Sequence, residues 1–249
     1  MIYRGVSIVF RSVLVVLSLA APVALAAPAL AQAEPAAAAP AAGGMTSDQI
    51  AAFNQAVTDF TAGQTAQQAG NNQEAVTKYE AALPAIRAAV QADPAKIDNV
   101  NFLANALYAD AAAQGALGKM DQVIALYGEA APHWRKVVEA KPTDAASRNI
   151  FAGMLIQLGN QKLTASDKAG ADSFYQEALG LARKSVAENG TDKVNRNILL
   201  SALIGASQTS TDAAIKTEAM DMGKAMMADG SIDAMNKPSI ETMTGQKAG

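Results

Sequence analysis

Three asparagines at one spacing are the residues best suited to recognition chemistry. Asn101, Asn149 and Asn197 lie 48 positions apart. A side-chain amide offers two donors and an acceptor, so a row of amides can pair with the backbone of an extended peptide whatever its sequence. The same column could instead hydrogen-bond the loops joining successive units, and that use would also recur every 48 residues. Both remain open at this level. Catalytic chemistry has little to stand on. His133, in APHWRKV, is the only histidine and has no acid close on the same face, so it reads as a packed or surface residue. With no cysteine there is no thiolate nucleophile or ligand. Glycine-rich phosphate loops, paired-carboxylate clefts and serine triads are missing, so no catalytic residue, metal site or cofactor is assigned and the chain is not read as an enzyme. Met220, Met222, Met226 and Met227 have the softness for Cu(I), but are expected to fill the end of a stack.

The spacing of 48 extends well beyond the asparagines. Tyr79, Tyr127 and Tyr175 share it, as do Arg87, Arg135 and Arg183, then Val90, Val138 and Val186, then Leu107, Leu155 and Leu203. A period in this range indicates a stacked array of supersecondary units. Each unit reads as a helical hairpin. The expected helices run from about 48 to 69 and 73 to 92, from 97 to 117 and 121 to 140, and from 145 to 164 with a partner ending at 188. A fourth, degenerate pair covers 193 to 208 and 212 to 228. Thr46-Ser47-Asp48, Thr143-Asp144 and Thr191-Asp192 supply cap chemistry; Asp93-Pro94, Lys141-Pro142 and Asn189-Gly190 are stops. Tyr79, Leu83, Ile86 and Val90 form one stripe at i, i+4, i+7 and i+11, which a single hairpin cannot cover and the next copy can. Pro84 and Pro132 fall inside the second helix of their units and should bend it; two short helices are the alternative. The arginine column is expected to pair with acids on a neighbouring helix; a basic stripe on the rim is the alternative.

These hairpins resemble the tetratricopeptide repeat. Gly63, Ala111 and Gly159 match the small residue where its two helices cross. Ala75, Tyr79 and Ala82 match the small-aromatic-alanine series of its second helix, as do Val123, Tyr127 and Ala130, and Ala171, Tyr175 and Ala178. The period departs from the family's usual length of about 34, and arginine stands where the family has its helix-ending proline. The resemblance implies an all-α, right-handed α-solenoid of helical hairpins, with three clear repeats and a degenerate fourth. It also implies a protein or peptide partner in a concave groove lined by the first helix of each pair. Carried onto this chain, the groove positions include Phe60, Tyr108, Ile156 and Ile204 as an apolar row. Asn101, Asn105, Asn149, Asn160, Asn197 and Gln208 are the flanking amides. The family's charged clamp for a carboxylate needs lysines and arginines that these positions lack. A self-associating structural protein is the other expectation, with a homo-oligomer as its product.

The ends of the chain add a compartment. Arg4 and Arg11 precede the apolar run Val13–Leu19, and small residues follow at Ala29-Leu30-Ala31 or Ala24-Leu25-Ala26. That is the pattern of a cleaved export signal over residues 1–31. The apolar run is too short to span a bilayer of about 20 residues, so no transmembrane anchor is expected after cleavage, and the location would be periplasmic or secreted. Residues 32–45 read as an Ala/Pro-rich linker, 46–229 as the repeat domain, and 230–249 as a polar, frayed tail. A net charge of −3 and the scattered cations give no footprint for nucleic acid.

Overall fold

The computed structural model describes residues 44–245, and these are all α, with nine helices and no strand. The proposed signal and most of the linker lie outside the described residues. The helices are α1 (Ser47–Gln68), α2 (Asn72–Ala92), α3 (Ile97–Ala116), α4 (Met120–Ala140), α5 (Ala145–Thr164), α6 (Lys168–Glu188), α7 (Lys193–Thr209), α8 (Ala213–Ala228) and α9 (Lys237–Thr244). Consecutive helices pair as hairpins α1/α2, α3/α4, α5/α6 and α7/α8, and each hairpin packs on the next, as a helical repeat requires. No helix among the described residues is long and apolar enough to cross a membrane.

Local chemistry explains the bounds. Thr46 accepts from the Gln49 backbone N–H while the Gln49 side chain accepts from Thr46, a reciprocal capping box. Asp144 and Asp192 cap α5 and α7 through the Ser147 and Asn195 N–H groups. The turns of the first three hairpins share one geometry. Gly70, Gly118 and Ser166 have φ of 80°, 74° and 63°, and the N–H of the next residue returns to a carbonyl five positions back. Pro84 and Pro132 sit on exposed faces inside unbroken α2 and α4, so each second helix is one helix.

The core is one continuous stack of small and large apolar side chains. Tyr79 and Tyr175 are fully buried, each lying flat against a glycine of its own hairpin. A Cβ at Gly63 would come within 2.6 Å of the Tyr79 ring, and one at Gly159 within 2.6 Å of the Tyr175 ring. The arginine column forms a ladder between successive second helices. Arg87 donates through Nε to Glu129 at 2.6 Å and through Nη2 at 2.9 Å, and Arg135 does the same to Glu177 at 2.8 and 2.9 Å. Arg183 reaches Glu218 at 2.6 Å. The sequence missed Arg148, which is fully buried and ties α5 to Glu188, Ser185 Oγ and the Pro142 carbonyl.

The tail corrects an expectation. From Ser231 to Gly245 the chain is ordered, and α9 buries Ile240 against Leu200 and Met226. The fit is close, because a Cβ at Gly223 would lie 2.5 Å from Ile240. One buried isoleucine carries no periodicity, which is why the segment looked polar and unstructured. Met222, Met226, Met227 and Met243 surround it, so the methionines fill this end of the stack.

Candidate functional site: a groove between the second and third hairpins

The packing of the first helices is uneven. α5 and α7 meet closely, α1 and α3 barely touch, and α3 and α5 touch less still. Between α3/α4 and α5 lies an open groove of about 860 Å³. Two columns vary along with this spread. Gly205 of α7 corresponds to Gln157 of α5 and Ala109 of α3. The Tyr175 ring is held between Gly159 and Gly205, where a Cβ would approach it to 2.6 and 2.5 Å respectively. The second hairpin has neither glycine. Ala111 carries the Cβ that Gly63 and Gly159 lack, and Gln157 replaces Gly205. Tyr127 therefore does not enter the slot its counterparts use. It is only half-buried and stacks on Tyr108, with ring centroids 6.1 Å apart and planes 12° from parallel.

That displaced pair forms one wall of the groove. Tyr108 also meets the edge of Trp134 at 6.5 Å. Met120, Val123 and Ile124 of α4 extend the apolar surface; Ile150 and Met154 of α5 face it. Amides rim it: Gln64, Gln67 and Gln68 at the α1 end, Asn105, Asn149 and Gln157 in the middle, Asn195 at the α7 end. Glu188 and Asp192 are the charged lining residues, and neither lysine nor arginine lines it. Burial pushes the Tyr108 and Tyr127 hydroxyls above their ordinary titration range, so both stay neutral donors.

The sequence-derived site residues divide. Asn105, Tyr108 and Asn149 line the groove. Phe60 and Ile156, exposed to 6% and 7%, are core residues, with the Phe60 ring 5.4 Å from Tyr79 and 5.1 Å from Phe102. Ile204 packs under the Ile240 cluster. Asn160 accepts from the Tyr175 hydroxyl at 2.7 Å, and Gln208 is exposed, donating only to its own helix at Ile204 O. Asn101 accepts from Asn105 Nδ2. Phe60, Ile156 and Ile204 thus turn inward into the stack, whereas Asn160 and Gln208 are exposed outside the groove. His133 is half-buried, and burial lowers its pKa against the opposing pull of Glu129, which stands four residues earlier on the same helix face and corrects the expectation of no acid there; no cluster of three or more His, Cys, Asp or Glu among the described residues could hold a metal.

The asparagine column shows both uses considered for it. Asn197 grips main chain: its Nδ2 donates to Ser231 O at 2.9 Å, and its Oδ1 accepts from the Asp233 N–H at 2.9 Å. The Asn197 carbonyl and Ser201 Oγ complete the hold through Asn236. Asn149 is only half engaged. Its Nδ2 donates to Asn195 Oδ1 at 2.6 Å, and Asn195 in turn donates to the Ser185 and Asn189 carbonyls. This relay fixes which way the Asn149 amide points and leaves its buried Oδ1 without a donor. No family model and no curated protein sequence matches the chain.

Proposed function

We propose that this chain is a peptide-binding module: a right-handed, tetratricopeptide-like solenoid that holds an extended segment of a protein partner in the groove between α3/α4 and α5. It acts as a non-enzymatic adaptor or assembly factor, exported by its N-terminal signal to the periplasm or beyond. The observation that carries the reading is Asn197, which already holds main chain through both ends of its amide. One repeat earlier, Asn149 lines the groove with an acceptor still lacking its donor. That Oδ1 is buried, so a peptide N–H reaches it by a turn of the Asn149 side chain toward the groove, and the Tyr108–Tyr127 wall receives apolar side chains. Of the two lining acids Glu188 is paired with Arg148 and Asp192 caps α7, so the lining is mainly apolar and amide, which favours a neutral segment over a carboxylate-terminated one.

Gly153 gives a clean test, because it lines the groove and a Cβ there would meet nothing within 4 Å. Gly153→Trp should therefore fill the groove while leaving the helical circular dichroism intact. Peptides selected from a random display library on the wild-type protein should lose at least about tenfold in affinity for this variant, equivalent to ~1.4 kcal/mol. Equal affinity for both proteins would remove the groove from consideration and favour self-association of the stack.

A further inference from the structure

Away from the groove, the joint between α2 and α3 contains a buried acid that the repeat does not require. Asp110 is 1% exposed, in a column whose other members are Ala62, Leu158 and Ala206. Four residues on, and so on the same helix face, Gln114 is 3% exposed. The Gln114 amide nitrogen donates to Glu80 Oε1 across the joint at 3.1 Å. Two acceptors are then left without donors, Asp110 Oδ1 and Gln114 Oε1. A buried acceptor without a donor costs free energy, and a buried carboxylate costs more when ionised.

The groups facing Asp110 do not cancel its charge. From α2 come Tyr79, whose hydroxyl is committed to Gln67 at 2.7 Å, the acid Glu80, and Arg87. Arg87 is already engaged through two hydrogen bonds by Glu129 of α4. Lys119 approaches from the turn before α4 and favours the ionised form, as does the Gln114 amide. The site thus holds more acceptors than donors and more acid than free base. A metal ion is a poor remedy beside Arg87 and Lys119, whereas a proton is the smallest donor available.

We propose that Asp110 is a proton-binding site in the α2–α3 joint, protonated when this joint is closed and loosening it on ionisation. Burial first, and Glu80 second, push the Asp110 carboxyl up to about 6, against the pull of Gln114, Arg87 and Lys119. The sign follows from linkage. A carboxyl with a raised folded-state pKa contributes stability that is fully present below its unfolded value of about 3.9 and is lost as pH rises through about 6.

The full chain, carboxyl-labelled at aspartate, tests this by ¹³C resonance and thermal melting across the pH range. The resonance missing from Asp110→Asn identifies the group, and its midpoint should be about 6. The melting temperature of the wild type, taken relative to Asp110→Asn, should fall by about 4 °C between roughly pH 5 and 7.5. Glu80→Gln, which keeps the shape and removes one charge, should bring the midpoint down. A midpoint near the ordinary aspartate value, or identical pH slopes in wild type and Asp110→Asn, would overturn the proposal. So would a divalent cation, added alone, that shifted the melting temperature in an Asp110-dependent way.

Discussion

The joint between the third and fourth hairpins is closed and the joint between the second and third is open, although one repeat built both. In the closed joint Tyr175 is clamped by two glycines, and α5 lies close on α7. In the open joint the same two positions are Ala111 and Gln157, Tyr127 is turned out onto Tyr108, and α3 and α5 stand apart. A single methyl group at one position and a longer side chain at another thus separate a packed interface from a groove. Close packing leaves little slack: once a ring loses its slot, the neighbouring helices cannot approach to the same distance.

Substitutions at these columns can break or sharpen that contrast. The largest effect is expected at Gly205→Ala, which puts a Cβ 2.5 Å from the Tyr175 ring. It should destabilise by about 1–3 kcal/mol in chemical denaturation, as overpacking does, and start to open the closed joint. If stability were unchanged, the glycine clamp would not be what closes it. At the open joint the same exchange has the opposite sign. Gly153→Ala meets no atom within 4 Å and should stabilise by roughly 0.5–1 kcal/mol through the helix alone. A loss of stability there would show that the groove is less open than it looks. The smallest effect belongs to the turns, which the two joints share. Ser166 holds a positive φ of 63° where Gly70 and Gly118 stand in the other units. Ser166→Gly should raise the melting temperature by a few degrees, for a gain of up to ~1 kcal/mol, without altering peptide binding. A change in binding would move the cause of the contrast from helix faces to turns.

The helices, turns and stacking stripes were legible because each is written in local chemistry and repeated three times. The arginine ladder was legible too, since a charged column on a buried array needs partners. The groove was legible only in part: Asn105, Tyr108 and Asn149 line it, whereas Phe60 and Ile156 are core. Family geometry places a continuous inner face, whereas this chain opens that face at one joint only. The signal was present as deviations from the repeat: Ala111 among glycines, and Gln157 opposite Ala109 and Gly205. Such departures look like noise until the packing shows what each one displaces. Arg148 and the tail helix escaped for a different reason, as each occurs once and acts through contacts distant in sequence.

The arginine bridges have a mechanical consequence. Arg87–Glu129, Arg135–Glu177 and Arg183–Glu218 join second helices to one another and leave the first helices free of comparable ties. The two-point contacts of Arg87 and Arg135 resist sliding and twisting more than tilting, because both of their hydrogen bonds lie in one plane. The row therefore works as the binding of a book works. Its spine holds across the joint between the second and third hairpins through Arg135–Glu177, while the leaves α3 and α5 stand apart there. Since the bridges are partly exposed, dissolved ions soften that spine, and the span of the open page becomes a property of the medium as well as of the chain.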